Sequence, residues 1–150
     1  MAAKRSRLLS RVSLGPAAAL VLSGCALLQP ARLDPTPDTS VVRSAPWGKV
    51  YRGGYVQVLS VNGYEPSFRN RHDVAAPPGE QHGAFAVNVC PDGTYKRCYA
   101  VTTTQIAFRT EPGRSYLVKA REKLNGNNKF WVWVEDEQSH VVVGGVAPGA

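Results

Sequence analysis

The stretch Tyr99–Arg121, YAVTTTQIAFRTEPGRSYLVKAR, decides the fold class. Its first half, Tyr99 to Arg109, is rich in β-branched residues, whose stiff side chains suit a pleated strand better than a helix. Glu111-Pro112-Gly113-Arg114 then carries the Pro-Gly chemistry of a tight turn. Beyond it, Ser115 to Arg121 alternates, with Tyr116, Val118 and Ala120 on one side and polar residues between them. A β-branched run, a turn and an alternating run read as strand, turn, strand.

The same grammar extends outward. Tyr55 to Val61 is a strand ended by Asn62-Gly63, and Pro77-Pro78-Gly79 turns into a strand on which Phe85, Val87 and Val89 share a face. Asn125-Gly126 precedes Phe130 to Val134, and Val141-Val142-Val143 closes the domain. No stretch outside the N-terminal segment has an apolar period of 3.6. About 100 residues with strands at this spacing predict an all-β domain, a small antiparallel β-sandwich or barrel-like fold, over residues 47–150.

The first 24 residues have the three parts of a bacterial export signal. Lys4, Arg5, Arg7 and Arg11 make a basic region, and Val12 to Leu22 (VSLGPAAALVL) is apolar but too short to span a bilayer, which takes about 20 residues. Leu22-Ser23-Gly24-Cys25 then resembles the lipobox of bacterial lipoproteins. That resemblance implies cleavage before Cys25, diacylglyceryl transfer to its thiol, and anchorage by two or three acyl chains. Sorting in such lipoproteins follows the next residue; Ala26, unlike aspartate, implies the periplasmic face of the outer membrane.

Removing the signal also removes most of the charge. Of 18 basic residues four precede Cys25 and no acid does, so 14 remain against 11 acids, a balance of +3 instead of +7. The basic composition therefore gives no support to nucleic acid as a partner. Residues 25–46 read as the lipidated cysteine and a linker holding Pro30, Pro35, Pro37 and Pro46. Such a composition favours extended, solvated chain.

With Cys25 taking lipid, Cys90 and Cys98 are left in an oxidising compartment, flanking a Pro91-Asp92-Gly93 turn. A disulfide between them would close a short ring and contribute about 2.5 kcal/mol.

The order of turn motifs resembles that of a group of small bacterial lipoproteins. It runs Val61-Asn62-Gly63, Pro77-Pro78-Gly79 followed by His82, Glu111-Pro112-Gly113-Arg114-Ser115-Tyr116, and Trp133 with Asp136 and Val141-Val142. In the group the second motif is Pro-Gly-x-His; here one extra residue precedes the histidine. The resemblance implies a β-sandwich lipoprotein and no catalytic activity.

Candidate chemistry is sparse. His72, Asp73, Glu80 and His82 lie within eleven residues and offer imidazole and carboxylate ligands, but their spacing matches no metal motif. They read as solvated loop groups, with His82 opening a strand and no metal expected. There is no G-x-S-x-G elbow and no phosphate-cradling glycine loop, and no serine or cysteine has a reason to join Asp136 and His140. Neither catalysis nor a cofactor is expected.

Trp131 and Trp133 alternate with Phe130, Val132 and Val134, so this strand is apolar on both faces and register decides which set turns inward. A five-residue loop pairs Lys119 with Trp133 and Arg121 with Trp131, with exposed cation–π contacts; a tight Asn125-Gly126 turn pairs Val118 with Trp133 and Ala120 with Trp131. At least one Trp is expected in the core, and an exposed pair would offer a stacking surface for glycan. The basic run Lys119, Arg121, Lys123 and the acidic run Glu135-Asp136-Glu137 read as mutually paired or solvated.

The expectation is a non-catalytic envelope module that binds peptidoglycan or an envelope protein. A metal- or small-ligand-binding lipoprotein, or an inhibitor of a wall-degrading enzyme, are the alternatives.

Overall fold

The computed structural model describes residues 31–45, 54–67, 72–91, 97–123 and 129–149. The signal segment, Cys25 and Trp47 lie outside them. Eight strands form in chain order: β1 (Ser40–Ser44), β2 (Tyr55–Val61), β3 (Asp73–Ala76), β4 (Gly79–Val89), β5 (Tyr99–Thr110), β6 (Ser115–Glu122), β7 (Phe130–Asp136) and β8 (Val142–Gly145). They make a five-stranded sheet, β3-β1-β6-β7-β8, and a three-stranded sheet, β2-β4-β5. Every neighbouring pair is antiparallel except β1 and β6, which are parallel. The arrangement is a small β-sandwich, as the strand grammar predicts.

The core is built mainly from valine. Val42, Val56, Val58, Val61, Val74, Val87, Val118 and Val134 are fully buried, and Phe85, Phe108 and Tyr116 supply its large side chains. Each buried valine contributes on the order of 1.5–3 kcal/mol.

Two strands lie where none is expected. Residues 26–46 read as linker, yet Ser40–Ser44 forms β1 in the middle of the larger sheet, between β3 and β6. The folded domain therefore begins before residue 47. Val42 is fully buried, and the Val41 N–H donates to the Arg114 carbonyl at 2.9 Å. The reason is non-local: a five-residue run with prolines on either side has little preference of its own, and gains its ladders from β3 and β6. Gly113 holds the junction. Its φ is +69°, and a Cβ there would stand 3.0 Å from the Pro37 carbonyl oxygen, while its N–H donates to the Thr39 carbonyl at 3.0 Å. β3, the other, is four residues long and pairs with β1.

Local chemistry explains the turns. Asn62 and Gly63 have φ of +48° and +80°, the signature of a type I′ turn, and Val61 and Tyr64 exchange backbone hydrogen bonds of 2.9 and 2.8 Å across it. The Asn62 amide also donates to the Glu80 carbonyl and to Gln81 Oε1, both at 2.9 Å. Buried Gln81 in turn donates to the Pro77 carbonyl at 2.7 Å and to Thr110 Oγ1 at 3.0 Å. This chain of amides ties the ends of β2 and β5 to the start of β4. At the β5–β6 turn the Tyr116 hydroxyl accepts the Glu111 N–H at 2.8 Å, the geometry of a tyrosine corner. Burial pushes the Tyr116 hydroxyl above its ordinary range.

Cys90 and Cys98 are joined by a disulfide, with Cα atoms 4.1 Å apart. The loop residues 92–96 lie outside the described set. The sheets meet at one side where β8 crosses β5: a Cβ on Gly144 would lie 2.6 Å from Phe108 Cβ and 2.7 Å from the Ala107 carbonyl oxygen.

A candidate binding face on strands β6 and β7

The register of β6 against β7 is the one that pairs Lys119 with Trp133 and Arg121 with Trp131. Val118, Ala120 and Val134 thereby face the core, with Phe130 and Val132 packed against it. Both tryptophans project from the opposite, outer face and are partly exposed. The expectation of a core Trp is not met, because this register turns Val118, Ala120 and Val134 inward; the loop residues 124–128, with Asn125-Gly126, lie outside the described residues. The Lys123 N–H donating to the Lys129 carbonyl at 2.8 Å brackets that loop.

The cation partners also differ from the expected pairs. Lys123 Nζ, not Lys119 or Arg121, lies 5.4 Å from the Trp131 ring centroid. Lys119 Nζ reaches past Trp133 to Glu135 Oε1 at 2.7 Å. A full carboxylate charge at contact outcompetes the quadrupole of a ring. Glu135 is the hub: its Oε2 accepts the Trp133 indole N–H at 3.3 Å, and His140 Nδ1 lies 3.1 Å from Oε1. Burial pushes the Glu135 carboxyl upward, but the hydrogen bonds from Lys119, Trp133 and His140 outweigh it and hold the group below the usual glutamate range. The indole of Trp133 is therefore fixed in orientation by a partly buried ion pair.

Beside it, Asp136 builds the β7–β8 turn. Its Oδ1 accepts the Gln138 N–H at 2.9 Å, the Ser139 N–H at 2.7 Å and the Ser139 hydroxyl at 3.0 Å, while Arg114 Nη1 stands 3.2 Å from Oδ2. Burial raises this carboxyl; the Ser139 and Gln138 hydrogen bonds and the Arg114 charge lower it further than burial raises it. Asp136 and His140 do not form a side-chain pair; the His140 backbone N–H donates to the Asp136 carbonyl at 2.9 Å, and its ring goes to Glu135. Glu137 completes the acidic run opposite Arg43, at 3.4 Å. The acidic run is thus paired with Lys119, Arg114 and Arg43.

Around the edge of this face, a cleft of about 470 Å³ opens between β5 and β7. Thr102 to Ala107 form one wall, Phe130, Trp131 and Val132 the other, with Lys123, Gly145 and Val146 at its ends. Sequence reasoning names Trp131 and Lys123 but not the β5 wall, because the two strands are brought together only by sheet packing.

The histidines do not converge. His72 and Asp73 stand at the start of β3 in the larger sheet, whereas Glu80 and His82 lie on β4 in the smaller one. Asp73 pairs with Arg43 at 3.4 Å and Glu80 with Arg109 at 3.6 Å. Among the described residues no three His, Cys, Asp or Glu side chains group as metal ligands. No family model, curated protein or solved structure matches the chain.

Proposed function

We propose that the protein is a lipid-anchored, non-catalytic module of a bacterial cell envelope. It is held at the periplasmic face of the outer membrane through Cys25, and binds another envelope component through the outer face of β6 and β7. The lipobox Leu22-Ser23-Gly24-Cys25 and the following Ala26 support the address. Peptidoglycan is the partner we favour.

One observation carries the binding half of this reading. Trp131 and Trp133 sit on the solvent side of a strand whose other face already fills the core, beside Lys119, Arg121 and Lys123. Their outer position leaves part of each ring open to a ligand, and aromatic rings next to cations are a common way to engage one. Sedimentation with purified peptidoglycan tests it. Wild-type protein should pellet with the insoluble wall, and Trp131→Ala and Trp133→Ala should each weaken that association. Equal sedimentation of wild type and both variants refutes the assignment of this face.

A further inference from the structure

The cleft between β5 and β7 has two unlike walls. On one side β5 runs past as Thr102-Thr103-Thr104-Gln105, whose alternate side chains carry polar groups that both donate and accept hydrogen bonds. On the other, β7 brings Phe130 and Val132 from its inner face and Trp131 from its outer face, with Val146 at the end, all of them apolar. A sugar ring has the same division, with an apolar C–H face and a rim of hydroxyls. At about 470 Å³ the cleft lies within the range of small-ligand sites, roughly 300–1,000 Å³.

Charge narrows the ligand. Among the described lining residues the one ionised side chain is Lys123, and no carboxylate is present. Its ammonium lies 5.4 Å from the Trp131 ring centroid, so cation and stacking surface stand side by side. Hydrolysis of a glycosidic bond ordinarily needs a pair of carboxylates flanking it, and this lining supplies none. The cleft is suited to hold a glycan, not to cut it.

An extended peptide is the competing occupant, since β5 is an edge strand. The β7 side offers it little. The Val132 carbonyl already accepts the Val146 N–H at 3.1 Å, and β8 pairs with β7 from Trp133 onward.

We infer that this cleft binds an anionic glycan, stacking a sugar ring on Trp131 and pairing a sugar-borne carboxylate with Lys123. The inference rests on the envelope-binding reading above and gives it a ligand class and a seat.

The test uses the full mature protein in detergent and two soluble probes, followed by calorimetric titration. One is the disaccharide of N-acetylglucosamine and N-acetylmuramic acid with its lactyl carboxylate free; the other is neutral di-N-acetylchitobiose. Wild-type protein should prefer the acidic disaccharide by about fivefold. Lys123→Gln should abolish that preference, and Trp131→Ala should weaken binding of both probes by about tenfold. Should Trp131→Ala fail to fold, the Lys123→Gln comparison carries the test alone. Equal binding of the two probes by wild type, a preference that survives Lys123→Gln, or displacement of the sugar by an unrelated extended peptide overturns the inference. If wild type pellets with peptidoglycan in a Trp133-dependent way while Lys123→Gln changes nothing, the cleft is excluded and the binding face stands. If wild type does not pellet at all, the broader reading fails with it.

Discussion

Replacing Trp133 and Val134 in turn contrasts the two faces of β7 within one strand. Val134 is fully buried among the valines between the sheets. Truncation to alanine removes two methyl groups' worth of transfer energy and leaves a small void, a loss of about 2–3 kcal/mol. Trp133 is far larger, and in a core its truncation would cost about 3–5 kcal/mol. On the outer face it loses instead one indole hydrogen bond to Glu135 at 3.3 Å and partial contact with its strand neighbours. A hydrogen bond of that kind is worth about 0.5–1.5 kcal/mol, so Trp133→Ala should cost no more than about 1–2 kcal/mol. The larger side chain should thus matter less. Urea denaturation followed by circular dichroism reads both, as a change in midpoint at constant slope. A greater loss for Trp133→Ala than for Val134→Ala would show that the register pairing Lys119 with Trp133 is wrong.

Three further outcomes are expected. Cys25→Ala should eliminate labelling by palmitate and release the protein from sedimented membranes; palmitate incorporation in that variant would contradict lipidation at Cys25. Unreduced mature protein should present neither Cys90 nor Cys98 to an alkylating reagent, and reduction should lower stability by about 2.5 kcal/mol. The Glu135 and Asp136 carboxyls are held below the ordinary values of 4.5 and 3.8, so the stability they add is complete above about pH 4.5 and is lost as pH falls through their depressed folded values. Denaturation midpoints should therefore drop on acidification below that point, and Asp136→Asn should flatten the decline; an unchanged acid slope in Asp136→Asn would count against the Ser139 and Gln138 hydrogen bonds and the Arg114 charge as the groups that hold Asp136 ionised.

Much of the sandwich is legible in the sequence because strand pairing leaves a period of two. β2, β4 and β6 show it, β5 and β7 are marked by β-branched and aromatic content, and Asn62-Gly63 and Glu111-Pro112-Gly113-Arg114 mark turns through backbone preferences. β1 is not legible, since Ser40–Ser44 is short, lies in proline-rich surroundings and is stabilised by a parallel partner more than 70 residues away. The face of the Trp pair is undecidable from Phe130–Val134 alone, because both alternate sets are apolar and only the loop length sets the register. Glu135 as the hub for Lys119, Trp133 and His140 depends on side-chain reach across a folded sheet, and the β5 wall of the cleft on packing between strands distant in sequence.

The most direct test of the central claim is to observe the two indole N–H groups while ligand binds. In ¹⁵N-labelled mature protein titrated with soluble peptidoglycan fragments, the Trp131 and Trp133 indole resonances and the β6 and β7 amides should shift with ligand concentration. Those of the Asn62–Gln81 network, which ties β2, β4 and β5 of the smaller sheet, should stay in place. Shifts confined to that network, or none at fragment concentrations where the insoluble wall retains the protein, would contradict binding through β6 and β7.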